Sequence, residues 1–155
     1  MTENELTELI SCQKIIVDPP RKTPLLENQS LKNEMRLTSI DGEHRFYVFI
    51  RQHVTFSENF SVGLVLEASS SHPRIPLIRC NGPHGPHRLW PHHTEYHIHT
   101  CNAELLNEGL LIESHARITK EYSSLDDAIY FFLKHCNIKD GIKHFPKSSS
   151  FSLFN

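Results

Sequence analysis

The chain has 155 residues, of which 38% are hydrophobic and 22% charged, a composition that fits one globular domain and excludes a disordered or fibrous protein. The formal net charge of -2 with neutral histidines excludes a protein that coats nucleic acid by bulk electrostatics, but allows a local basic pocket. Every apolar run is far shorter than the ~20 residues that span a bilayer. We therefore expect a cytoplasmic protein with no membrane partner. No two of the four cysteines form a Cys-x-x-Cys motif, so the sequence indicates neither a zinc-ribbon nor a redox site. We therefore expect reduced, partly buried thiols.

The first half of the chain predicts a short helix followed by antiparallel strands. Residues Asn4 to Ile10 carry apolar side chains at helical spacing, and Pro19-Pro20 then forces an extended exit. Asp41-Gly42 lies between two alternating runs and predicts a tight hairpin that joins strands at about 35–40 and 44–53. These features indicate a small helical cover beside a sheet.

Four further strands and one Gly/Pro loop follow in the middle of the chain. Asn59 to Glu67 alternates apolar and polar residues and predicts a half-buried strand. Ile75 to Cys80 predicts a short strand that enters a stiff Gly/Pro loop from Asn81 to His87. Glu95 to Cys101 resumes a strand, and Leu111 to Arg117 is interpreted as another because Gly109 interrupts a helical pattern.

The last regular element is an amphipathic helix. Ser123 or Ser124, followed three residues later by Asp126 or Asp127, resembles a capping box, and apolar residues then recur at helical spacing as far as Cys136. The pattern predicts an α+β fold, with a mostly antiparallel sheet of about five or six strands, a short N-terminal helix and a C-terminal amphipathic helix packed on the sheet. We expect one domain over residues 1–146 and a flexible tail over 147–155.

Half of the 12 histidines lie between His84 and His99. His97 and His99 are two residues apart on a predicted strand, so they face the same way with their side-chain bases about 6–7 Å apart. Two imidazoles at that spacing converge on a metal ion or on a phosphate, because neutral imidazole binds zinc and protonated imidazole supplies a proton. Packing alone offers no obvious reason for this pair.

The Gly/Pro loop supplies the other candidates. His84 or His87 would complete the site from the loop, and Arg79, Arg88 and Asn81 would stabilise the negative charge of a phosphate. His92 and His93 are adjacent, so at most one of them faces the same centre. If the site holds a divalent metal such as zinc, His97, His99 and His84 are the expected ligands.

Segments over nearly the whole chain resemble a bacterial and prophage domain family of unknown function. They are Glu5-Leu6, Lys14-Ile15-Ile16, Asp41-Gly42-Glu43, Ile75-Pro76-Leu77-Ile78-Arg79, Asn81-Gly82-Pro83-His84, His97-Ile98-His99 and Leu133-Lys134-His135-Cys136-Asn137-Ile138. In the family pattern a loop histidine precedes an Asn-Pro-Asp-Gly turn and a Pro-His-x-His strand. Here 88–93 replaces that turn and Tyr96 stands where proline is usual, so no aspartate role carries over. The resemblance implies a mobile-element setting.

These observations predict a small histidine-dependent nuclease or phosphoesterase. One of His97 and His99 would act as general base, His84 or His87 as general acid, and Arg79 or Arg88 would stabilise the phosphate. In a mobile element such a hydrolase would be a toxin of a toxin–antitoxin or phage-defence module, with RNA or DNA as substrate and a cognate antitoxin as partner. Two alternatives stay open. The histidines either serve a non-catalytic metal-binding or protein-interaction domain, or join the loop to the strand by hydrogen bonds.

Overall fold

The computed structural model describes residues 1–84, 94–112 and 115–146, which form one antiparallel sheet with helices beside it. The helices are α1 (Glu3–Ser11), α2 (Ala103–Asn107) and α3 (Leu125–His135), with a 3-10 helix at Gly141–His144. The strands are β1 (Lys14–Asp18), β2 (Leu25–Glu27), β3 (Ser30–Ser39), β4 (Arg45–His53), β5 (Phe60–Leu66), β6 (Ile75–Asn81), β7 (His97–Thr100) and β8 (Arg117–Ile118). The predicted α+β class is confirmed.

The sheet has more strands than the sequence predicted. Its order is β1-β3-β4-β5-β6-β7-β8, with β2 paired to β3. The two strands that were not predicted, β1 and β2, are short and largely exposed, so they carry little of the apolar alternation that marks a strand in sequence. They form because β3 is ten residues long and pairs with both.

The core lies between one side of the sheet and helices α1 and α3. Phe46, Val48 and Val62 on the sheet are at most 1% exposed and belong to the same apolar cluster as Ile129 and Phe132 of α3. We call this side the core face and the opposite side of β3–β7 the outer face. Because side chains alternate along a strand, the residues between the core positions project to the outer face.

Strand β5 corrects one expectation. Its alternating sequence predicted a half-buried strand, but all seven of its residues are buried. Outer-face side chains of neighbouring strands cover it. The ring of Phe49 is the clearest case, since a Cβ built on Gly63 would lie 2.3 Å from that ring. Glycine therefore allows the Phe49 ring to lie directly against β5.

Local capping fixes the two longer helices. Thr2 and Glu5 form a reciprocal capping box at the start of α1, and the Ser124 hydroxyl accepts a hydrogen bond from the Asp127 N–H at the start of α3. Both helices confirm their predictions. None of the described helices is long and apolar enough to cross a membrane.

The region between β7 and α3 differs from the prediction. The expected strand from Leu111 to Arg117 is wrong, because the described part of it pairs with β7 only at Arg117, the first residue of β8. Asn102 caps the short helix α2, and Gly109 with φ +68° follows that helix. Helix α2 thus forms just before the segment that was interpreted as a strand. The predicted tail, 147–155, lies outside the described residues.

Lys14 is a buried cation that the sequence did not single out. Its side chain is 0% exposed, and its Nζ donates to the carbonyls of Ile10, Cys12 and Cys136 at 2.7, 2.8 and 2.9 Å. All three carbonyls lie at the C-terminal ends of α1 and α3, where the helix dipole favours a positive charge. We call these four residues the Lys14 centre. It joins both helices to β1.

Candidate functional site

The candidate site lies where β6 and β7 pair on the outer face. The register sets Arg79 opposite His99 and Asn81 opposite His97, and directly paired residues of an antiparallel sheet share a face. Strand pairing thus brings two residues predicted from the sequence, Arg79 and Asn81, beside the two histidines of β7. The intervening Cys80 and Ile98 face the core.

Three imidazoles lie in contact at this edge. The ring centroids of His97 and His99 are 4.9 Å apart and nearly perpendicular, and the His84 ring centroid is 5.3 Å from that of His97. We call His84, His97 and His99 the imidazole cluster. The other sequence candidates in the loop, His87, Arg88, His92 and His93, lie outside the described residues.

Backbone carbonyls set the proton positions of the two strand imidazoles. His97 Nδ1 lies 2.7 Å from the Glu95 carbonyl oxygen, and His99 Nδ1 lies 3.1 Å from the carbonyl oxygens of both Ile112 and His115. A carbonyl oxygen only accepts, so each Nδ1 must carry the hydrogen. In the neutral rings the lone pair therefore lies on Nε2. That tautomer suits a general base or a metal ligand.

The two strand imidazoles are buried, whereas His84 is partly exposed. His97 and His99 are each 0% exposed, and Asn81 is 4% exposed. The Asn81 Nδ2 group donates to His97 Nε2 at 3.4 Å, whereas Asn81 Oδ1 has no hydrogen-bond partner among the described residues. A buried amide oxygen without a partner is costly. Asn81 therefore keeps hydrogen-bonding capacity beside the imidazoles.

Tyr122, on the core face, holds the paired strands β6 and β7 in place. The Tyr122 hydroxyl is within 3.0 Å of the Asn81 carbonyl and 2.8 Å of the His97 carbonyl, and it donates to them. Burial raises the pKa of Tyr122 well above its ordinary value, so this hydroxyl stays a donor. The sequence offered no signal for this contact, since Tyr122 lies 25 residues from His97.

Gly82 starts the loop that carries His84. Its N–H donates to the Phe60 carbonyl at 3.0 Å, and a Cβ at this position would lie 1.8 Å from the Glu58 carbonyl oxygen. No side chain fits in that space without moving the backbone. The glycine of the Gly/Pro loop thus directs the chain past the β4–β5 connection and toward His97.

A second arginine, missed by the sequence analysis, faces the same surface. Arg51 on β4 donates from Nη2 to Asn59 Oδ1 at 3.0 Å and to Ser61 Oγ at 3.3 Å. Burial lowers its pKa, and the nearby charge of Arg79 lowers it further. Both acceptors are neutral. Arg51 alternates with the core residues of β4, so the predicted strand already placed it on the outer face.

The metal ligands predicted from the sequence, His97, His99 and His84, all lie among the described residues. Within residues 1–84, 94–112 and 115–146, no three His, Cys, Asp or Glu side chains are arranged to hold a metal ion. The expected zinc ligands His97, His99 and His84 touch through their rings, but they do not form such a group.

A cavity elsewhere does not include the imidazole cluster. About 900 Å³ in volume, it lies between α1 and the β3–β4 hairpin and is lined by residues such as Glu8, Leu9, Asp41, His44 and Ile75. Its carboxylates, among them Glu8 and Asp41, disfavour a phosphate there. The candidate site thus rests on side-chain chemistry and not on cavity size.

Comparison with known proteins returns no relatives. No family model, no curated protein and no solved structure matches this chain. The resemblance to a bacterial and prophage domain family stays a prediction.

Proposed function

We propose that this protein is a histidine-dependent nuclease that cleaves phosphodiester bonds with His97 as general base and His84 as general acid. The observation that carries the proposal is the contact between these two rings, with the Nδ1–H of His97 donated to the Glu95 carbonyl. The hydrogen bond orients the ring and leaves Nε2 to take a proton. Arg79 and Asn81 border the same imidazoles and supply N–H donors for the phosphate.

The reaction needs two proton transfers. His97 Nε2 takes a proton from the attacking group, which is either a ribose 2′-OH or water. The oxygen of that group forms a bond to phosphorus at the same time. The bond from phosphorus to the leaving oxygen breaks, and protonated His84 donates to that oxygen. Arg79 and Asn81 stabilise the charge that develops on the phosphate oxygens. His99, bonded to the carbonyls of Ile112 and His115, holds the edge of the site.

The biological setting follows from the resemblance alone. A nuclease of a mobile element would serve as the toxin of a toxin–antitoxin or phage-defence module. A cognate antitoxin protein would then cover the outer face or the Gly/Pro loop. An adjacent small gene whose product suppresses growth arrest by this protein supports that setting.

The test is cleavage of labelled RNA and DNA by the purified protein, in chelator and with added divalent metals. We expect cleavage in chelator, reduced about 10²- to 10⁴-fold in His97→Ala and in His84→Ala. His72→Ala is the matched control, because His72 lies in the exposed β5–β6 connection. Intact RNA and DNA under every condition would contradict the proposal, as would full activity in His97→Ala. Elemental analysis of the same preparation identifies any bound metal.

The burial of His97 and His99 supports a second function. At 0% exposure, with Nδ1 bonded to carbonyls of other segments, the two imidazoles would serve as a tie between β7 and the neighbouring chain. Substitution would then lower the free energy of unfolding without removing any activity. Urea denaturation of His97→Ala beside its cleavage assay separates the two, since a catalytic role predicts lost cleavage by folded protein.

A further inference from the structure

The outer face next to the imidazole cluster combines aromatic and basic side chains. Tyr47 and Phe49 of β4 are both half-buried, and their ring centroids are 6.5 Å apart at a tilt of 31°. The guanidinium groups of Arg36 and Arg74 lie 5.2 and 5.5 Å from the Tyr47 ring centroid. Aromatic rings and guanidinium planes are the surfaces on which unpaired bases stack.

Two grooves flank Tyr47 on this face. One has a volume of about 350 Å³ and is lined by residues that include Arg36, Tyr47 and Arg74. The other, about 260 Å³, is lined by residues that include Tyr47, Phe49 and Arg51. Each groove therefore has an aromatic wall, at least one arginine and two glutamates, and these glutamates are bound by neighbouring side chains of the same face.

The charges on this face leave arginines in excess. Arg36 forms an ion pair with Glu67, Lys32 forms one with Glu27 at 3.1 Å, and the Tyr47 hydroxyl donates to Glu34. Arg51 is hydrogen-bonded to neutral partners, and the charge of Arg79 acts on it to lower its pKa in addition to burial. Two guanidiniums that repel each other are stabilised by an anion placed between them.

The strand register connects the aromatic surface to the imidazole cluster. Two rows of paired residues cross β4, β5, β6 and β7 on the outer face. They are Phe49–Gly63–Arg79–His99 and Arg51–Ser61–Asn81–His97. Three strand spacings make each row about 14 Å long, the length of a few nucleotides.

From this arrangement we infer that the outer face binds single-stranded nucleic acid, with bases stacked on Tyr47 and Phe49 and the backbone following Arg51 and Arg79 toward His97. The inference rests on the proposed nuclease function for the role of His97, and it names the substrate class of that site. A duplex is excluded because its bases are stacked on each other and present no face to the rings. Substrates shorter than the row cannot reach both ends.

The experiment measures binding separately from cleavage. Fluorescence anisotropy follows a labelled uridine 2′-O-methyl oligonucleotide of about 12 nucleotides, within the site size of single-strand binders; a DNA oligonucleotide and a duplex serve as further arms. We expect Kd to rise about tenfold in Tyr47→Ala and in Phe49→Ala, with the duplex bound more weakly. Tyr130→Ala, on the helix at the opposite side of the sheet, is the matched control and should bind as the wild type does.

Salt dependence tests the arginines. For Arg51→Gln we expect the slope of log K against log salt concentration to fall by about 0.7, the loss of one phosphate contact on a single strand. Lys139→Gln, an exposed cation outside this face, should leave the slope unchanged. Thermal melting of each variant verifies folding, and if Phe49→Ala unfolds, Tyr47→Ala and Arg51→Gln decide the result.

The outcomes separate the two proposals. Binding that depends on Tyr47 and Phe49 in a protein without cleavage activity supports the surface and overturns the nuclease. Cleavage with binding unaffected by these substitutions overturns the surface and leaves the nuclease standing. Equal affinity for duplex and single strand also overturns the proposal that the outer face binds single-stranded nucleic acid. Self-association that Phe49→Ala abolishes would assign the face to a second copy of the chain instead.

Discussion

Two regions of this molecule place buried nitrogen donors against backbone carbonyls, and they do so in different ways. At the Lys14 centre one ammonium with three donors meets three carbonyl oxygens, so its hydrogen-bonding capacity is matched by the backbone. In the imidazole cluster the carbonyls bond to Nδ1 of His97 and His99, which fixes each ring and makes Nε2 the basic nitrogen. A lysine used in this way stabilises the fold, whereas imidazoles held by one nitrogen keep the other nitrogen for the proton transfer proposed above.

Replacing Lys14 gives the largest expected effect on stability. Lys14→Met keeps most of the side-chain volume but leaves three buried carbonyls without their donor, which we expect to lower the free energy of unfolding by about 3 to 5 kcal/mol. Urea denaturation measures the change, and Lys139→Met at an exposed position is the control. Cleavage per folded molecule should not change. If Lys14→Met were about as stable as the wild type, the hydrogen bonds of the Lys14 centre would not stabilise the fold, and the contrast with the imidazole cluster would fail.

Gly82→Ala tests whether the loop position of His84 matters to the site. The new Cβ would lie 1.8 Å from the Glu58 carbonyl oxygen, so we expect a loss of about 3 kcal/mol in the free energy of unfolding together with reduced cleavage. Gly42→Ala serves as the control, because its φ of +76° strains alanine while its Cβ meets open space. It should cost about 1 kcal/mol and leave cleavage intact. Normal cleavage in folded Gly82→Ala would argue against His84 as the acid.

The pH dependence of stability sharpens the description of the Lys14 centre. Burial raises the pKa of Cys136 from 9.0 to about 12, so the unfolded thiol ionises first as pH rises. The contribution of the buried, protonated Cys136 thiol to the free energy of unfolding is fully present below pH 9.0 and is lost as pH approaches 12. Between these pH values the free energy of unfolding of the wild type falls as pH rises. In Cys136→Ala this fall should be less steep by about 1.4 kcal/mol per pH unit. Parallel curves for variant and wild type above pH 9.0 would refute this.

Tyr122→Phe has the smallest expected effect. It removes the hydroxyl that donates to the Asn81 and His97 carbonyls, and we expect a loss of about 1 kcal/mol in unfolding free energy. Tyr96→Phe belongs to the same group of rings, with centroids 6.0 Å apart, and is the matched control. If both variants lose equal stability in urea denaturation, the hydroxyl does not support the β6–β7 edge.

The sequence by itself determined much of this protein. Period-two alternation predicted β4, β5 and the second half of β3, and a short apolar run predicted β6. The Asp41-Gly42 turn predicted the hairpin, and helical spacing after Ser124 predicted α3. Spacing also predicted that His97 and His99 share a face. These features are local, because backbone geometry over a few residues decides them.

Only the tertiary structure decided the rest. Lys14 meets carbonyls as far away as Cys136, Tyr122 reaches β6 and β7 from the core face, and strand register sets Arg51 in one row with His97. The missed strands β1 and β2 are exposed and gain their order from pairing with β3. Each of these depends on which segments meet in space, and apolar periodicity carries no information about long-range pairing.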